Sequence, residues 1–118
     1  MFSQQNAANV KICFLIFAGL IYPIFMASIL GIIPARYAST RLPGKPLAMI
    51  SGQTMLQRVV HLSFAATEGL NQVDVIVATD DERIRQHCQE IGVNAIMTAT
   101  EALTGTDRVA DAVRQMPK

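Results

Sequence analysis

From residue 29 onward, short unbroken apolar runs alternate with longer segments in which apolar residues recur every three or four positions. Short runs suit strands buried on both faces, and helical recurrence suits helices packed along one side. The alternation therefore predicts parallel strands joined by crossover helices. Ile29, Leu30, Ile32 and Ile33 form the first predicted strand, ended by Pro34, and the polar stretch from Ala35 to Pro46 is a long loop. A helix is expected to begin between Ser51 and Thr54, with Met55, Val59, Leu62 and Ala66 on its buried side and Gly69 as its terminator. Asp74 to Thr79, DVIVAT, is the second strand. Asp80 is the expected cap of a second helix, with Asp81 and Glu82 in its first turn, Ile84, Cys88 and Ile91 facing inward, and Gly92 as its stop. Val93 to Met97 is the third strand. After a polar connection, Thr106 or Asp107 is expected to cap a third helix that presents Val109, Val113 and Met116. These elements amount to the first half of a doubly wound, Rossmann-like parallel sheet of the α/β class. No repeat or low-complexity tract interrupts it, and a stop just after a helix predicts one part of a larger domain.

The stretch before residue 29 follows another pattern. Residues 1–25 contain one basic residue, Lys11, and no acidic one, and residues 12–33 carry no charge at all. A helix of about 20 apolar residues crosses a bilayer. Three readings compete: a membrane anchor, a secretory signal with Lys11 ahead of an apolar core, or two unrelated apolar pieces that abut. The third is favoured, because Ile29 to Ile33 are needed as a strand and cannot serve membrane and sheet together. Met26 opens MASILGIIPAR, which reads as the natural start of a soluble protein. The expected division is thus an apolar extension over 1–25 and a sheet domain over 26–118, in the cytoplasm, with membrane association through residues 12–28 as the alternative.

Charge narrows the function. Ten basic against nine acidic residues leave +1 overall, which makes no electrostatic case for nucleic acid, so any anion site must be local. Cys13 and Cys88 lie far apart and form no CxxC pair, as expected of a reducing compartment. His61 and His87 each lack a second ligand at helical spacing, and no metal site is assigned to this chain. In open α/β sheets ligands bind beyond the carboxyl ends of the strands, where the loop PARYASTRLPGKPL leaves the first strand. It supplies the guanidinium groups of Arg36 and Arg41, the ammonium of Lys45, the hydroxyls of Ser39 and Thr40, and Gly44 for close backbone approach. A nucleoside triphosphate needs several such cationic donors around its phosphoryl oxygens. Neither GxxxxGK[ST] nor GxGxxG occurs, which weakens the P-loop and dinucleotide-binding readings. An ordinary surface loop is built from the same residue types.

The run GIIPARYASTRLPGKPL closely resembles the signature loop of the 3-deoxy-manno-octulosonate (Kdo) cytidylyltransferases. The resemblance continues at VIVATDDERI, residues 75–84, and TGTDRVADAV, residues 104–113. It implies transfer of CMP from CTP to an acidic eight-carbon sugar, with magnesium, in lipopolysaccharide biosynthesis. It also implies that Arg36, Arg41 and Lys45 hold the triphosphate, with Ser39, Thr40 and Gly44 assisting, and that Arg41 and Lys45 are the catalytic cations. Ala35 and the turn bearing Thr104, Gly105 and Arg108 would lie near the nucleotide. The family more often has Ser at the position of Thr104 and His at that of Ala102. Asp107 and Arg108 pairing at a helix start is an equal alternative.

The resemblance further implies that the acidic turn binding magnesium, the sugar-binding half and the dimer-forming strands of a homodimer fall beyond residue 118. The chain is accordingly expected to be a weakly active or inactive fragment, prone to aggregation. Two other readings stand beside it: a membrane-tethered, non-catalytic nucleotide-binding module, and a cytidylyltransferase for a sialic-type or amino-modified sugar.

Overall fold

The computed structural model describes residues 12–17, 20–25, 29–70 and 72–116. Strands β1 (Ile12–Phe17) and β2 (Leu20–Phe25) pair antiparallel, Ile12 opposite Phe25 and Phe17 opposite Leu20. Within the apolar tract weighed as one membrane helix, the described residues 12–17 and 20–25 are thus strands. Among the described residues no helix is long and apolar enough to cross a membrane.

The nucleus of the fold is a three-stranded parallel sheet of β3 (Ile29–Pro34), β6 (Val73–Thr79) and β7 (Asn94–Met97), with β6 in the middle. The α/β class and parallel order are those expected from the alternating pattern. Register aligns Ile33 with Val77 and Val77 with Ala95. That row faces a core of Leu56, Val60, Val77, Ile84, Cys88 and Val93, built from α1 (Met55–Ala66) and α2 (Glu82–Ile91). Side chains alternate across a strand, and Ile76 and Ala78, on the other face of β6, are buried as well. There α3 (Gly105–Gln115), with buried Ala112, packs against β3 and β6. β6, in the middle of the sheet, is thus covered on both faces. β3 lies at the sheet edge, bonded to β6 alone among the described strands, so Ile29 and Leu30 stay 45% and 37% exposed rather than doubly buried.

Helix limits follow capping chemistry and correct four expectations. Thr54 caps α1, its hydroxyl accepting from the Gln57 amide at 3.1 Å, but the face turned inward is Leu56 and Val60, while Val59 and Leu62 are exposed. Apolar residues fall on both phases of this helix, so periodicity alone does not select one. The cap of α2 is Asp81, which accepts from the Arg83 amide at 2.9 Å, and not Asp80. Gly92 closes that helix in the left-handed conformation, φ 77°. The cap of α3 is Thr104, in a reciprocal capping box with Asp107, rather than Thr106 or Asp107. The buried residues of α3 are Arg108 and Ala112, and Val113 faces solvent.

A small hairpin also went unforeseen. Strands β4 (Met49–Ile50) and β5 (Gln53–Thr54) pair across Ser51 and Gly52, both at positive φ, 49° and 82°. Two-residue turns of this kind match the twist of the strands they join.

Candidate nucleotide-binding site

All three parallel strands deliver residues to one end of the sheet: Ala35 and Arg36 after β3, Asp80 after β6 and Thr98 after β7. Ala35 is buried and its amide donates to the Ala78 carbonyl at 2.8 Å, so any base contact from Ala35 runs through its carbonyl. Beyond it, Arg36, Thr40, Arg41 and Lys45 are exposed and Ser39 is half-buried. Among the described residues neither Arg41 nor Lys45 forms an ion pair, which leaves both cations open to an anion.

The loop between them has a fixed shape. The Gly44 amide donates to the Tyr37 carbonyl at 2.8 Å, closing residues 37–44 into a ring, and a 3-10 turn over Lys45–Leu47 follows. Gly44 sits at φ 70°, and a Cβ there would lie 3.0 Å from the Tyr37 ring. Glycine is therefore required for backbone sign and for space. Tyr37 is also held by Arg83, whose guanidinium carbon lies over the ring, 3.3 Å from its centroid. Arg83 is in turn bidentate to Asp81, at 2.9 and 2.7 Å. That hydrogen-bonded pairing lowers the Asp81 carboxyl from its ordinary 3.8, against a smaller opposing effect of burial. Sequence reasoning missed Tyr37 and Arg83. Their bond joins a loop to a helix 46 residues later, which no spacing rule reports.

The structure brings the first loop against the turn before α3. Arg36 Nη1 donates to the Leu103 carbonyl at 3.2 Å, and a Cβ on Gly105 would stand 3.5 Å from Pro34. Thr104 is committed to the helix: its hydroxyl accepts from the Asp107 amide at 3.1 Å and donates to Asp107 Oδ2 at 2.7 Å. Arg108 turns inward, 2% exposed, and donates to Thr98 Oγ1 at 2.6 Å, to Asp80 Oδ2 at 3.3 Å and to the Ala102 carbonyl at 3.3 Å. It makes no pair with Asp107. Asp80, read from sequence as a cap, is its counter-ion.

Among the described residues no group of three His, Cys, Asp or Glu side chains is arranged to hold a metal ion. Asp80 is already paired with Arg108, and His87 is engaged by the Thr54 hydroxyl at 2.7 Å and by Glu90 at 3.2 Å. The described side chains do not fit a metal centre.

A parallel half-sheet whose first strand feeds a rigid, cation-bearing loop defines an α/β module suited to binding a phosphorylated ligand. The Cytidylyltransferase family profile matches residues 30–118, and the chain belongs to that family of nucleotidyltransferases. It is 50% identical over 90 residues to the 3-deoxy-manno-octulosonate cytidylyltransferase of Protochlamydia amoebophila, covering 76% of this chain and 34% of the relative. It is 48% identical over 85 residues to the 8-amino-3,8-dideoxy-manno-octulosonate cytidylyltransferase of Shewanella amazonensis, covering 72% and 34%. The solved structure of a CMP:2-keto-3-deoxy-manno-octonic acid synthetase complexed with CTP superposes with a TM-score of 0.67 at 40% identity, covering 77% of this chain and 36% of that one. The chain thus spans about a third of the length of the relatives it matches.

Proposed function

We propose that this chain is the nucleotide-binding part of a cytidylyltransferase that moves CMP from CTP onto 3-deoxy-manno-octulosonate and releases pyrophosphate. One observation carries the reading: Arg36, Arg41 and Lys45 stand exposed on a single braced loop, directly after the first parallel strand, in a chain 50% identical to an enzyme named for that reaction. In the reaction, an oxygen of the sugar's anomeric hydroxyl bonds to the α-phosphorus. The bond from that phosphorus to the bridging oxygen breaks, the electron pair leaves with pyrophosphate, and the hydroxyl proton passes to solvent.

Little covalent chemistry is asked of the protein, so the rate rests on placing the triphosphate and offsetting charge on the leaving group. Arg36 and Arg41 offer paired donors to phosphoryl oxygens, Lys45 offers a point charge to the departing pyrophosphate, and Ser39, Thr40 and the Gly44 backbone add neutral donors. The Ala35 carbonyl and the turn at Thr104 and Gly105 face the base. Magnesium belongs to the same reading and is assigned no ligand in this chain. A cytoplasmic setting and supply of lipopolysaccharide assembly belong to the same reading. Relatives that act on the 8-amino sugar, at 48% identity, support a second acceptor.

Titration with CTP, UTP and ATP, followed through the phosphorus and base-proton resonances of each nucleotide, tests the proposal. The expected result is preferential broadening of CTP. Equal response to all three, or to none in a folded chain, contradicts it.

A further inference from the structure

Arg108 is the one charged side chain among the buried described residues, and it ties together three segments at the sheet end. Its guanidinium reaches Asp80 just past β6, Thr98 just past β7, and the Ala102 carbonyl in the loop before α3. The next carbonyl along that loop, Leu103, accepts the Arg36 guanidinium. Thr104 then starts α3 through its box with Asp107, so the loop is held at its end as well. The Thr98 amide, bonded to the Thr79 carbonyl at 2.8 Å, fixes the beginning of the loop to β6. Between these anchors, Arg108 fixes the middle.

We propose that Arg108 is a positioning residue that sets the direction of Arg36 through the Ala102–Leu103 backbone, with Asp80 and Thr98 as its supports. This deepens the nucleotide-binding reading and rests on it for its effect on affinity. A guanidinium this deeply buried is retained at a desolvation cost that its three partners must offset, and losing one partner leaves donors unsatisfied. Near its start the loop is also held by Asp111, whose Oδ2 accepts from the Ala99 amide at 2.8 Å, and Arg108 adds the tie nearest the carbonyl that Arg36 meets. Buried and engaged by protein partners, the Arg108 guanidinium acts through its neighbour.

The test is a double-mutant cycle in the full 118-residue chain, with CTP affinity measured by calorimetry and folding checked by thermal melting. Arg108→Lys weakens CTP by about tenfold where Arg36 is present, the loss expected for one misplaced charged hydrogen bond. It adds at most about twofold in an Arg36→Ala background, because the path of action is already gone. Equal losses in both backgrounds, or no loss in a folded variant, overturn the proposal. Should Arg108→Lys melt out, Thr98→Val keeps the side-chain volume, removes one acceptor, and must give the same non-additivity. Hydrogen exchange of residues 98–104 without nucleotide is the independent arm. Faster exchange in either variant supports the tie, and unchanged exchange overturns it. A parent that binds no CTP but shows the exchange effect contradicts the proposed function and leaves the positioning role standing.

Discussion

Single residues decide whether the cationic loop keeps its shape. Gly44→Ala forces a side chain into the left-handed region and against the Tyr37 ring. It is predicted to cost about 1–2 kcal/mol and to weaken CTP binding as well, measured by melting and calorimetry. Removing Lys45 is different, because its ammonium is exposed and without an ion-pair partner among the described residues. Lys45→Ala should leave the melting temperature unchanged and weaken CTP roughly tenfold, less at high salt. Cys88 is fully buried, and desolvation pushes its thiol up to about 11. Peptide mapping after alkylation of the folded chain at neutral pH is expected to find it unmodified, and modified once the chain is denatured.

At the scale of elements, the start of α2 matters beyond its own helix, since Asp81 caps it and also holds the arginine stacked on Tyr37. Asp81→Ala is predicted to destabilise by about 1 kcal/mol at neutral pH. The Arg83 hydrogen bond depresses the Asp81 carboxyl below 3.8 in the folded chain, so its contribution is complete above that value and is lost as pH falls through the lower, folded one. The melting difference between parent and variant should therefore shrink on going from pH 7 toward pH 3, and a constant difference contradicts this account. The strands and helices were legible in sequence because β6 is apolar on both faces and α2 has one apolar stripe ended by Gly92. The phase of α1 was not, because Leu56 and Val60 compete with Met55 and Val59 for the inward side. Nor was α3, because a rule that sends arginine to solvent cannot foresee Thr98 and Asp80 waiting for Arg108. The hairpin at Ser51 and Gly52 had a signal, the Ser-Gly pair itself.

For the whole molecule, the candidate site was legible as a list of residues and not as an arrangement. Arg36, Arg41 and Lys45 lie in one continuous motif, whereas the contact of Arg36 with Leu103 joins residues 67 apart. The chain spans about a third of its relatives and its described residues offer no metal cluster. Capture of the nucleotide by the cationic loop is what the proposed function asks of this chain. The most direct measurement is calorimetric titration of the 118-residue chain with CTP, beside a variant carrying Arg36→Ala and Lys45→Ala. Binding by the parent and none by the folded variant is the predicted result. Equal binding by both, or none by a folded parent, would contradict the claim that this loop captures the triphosphate.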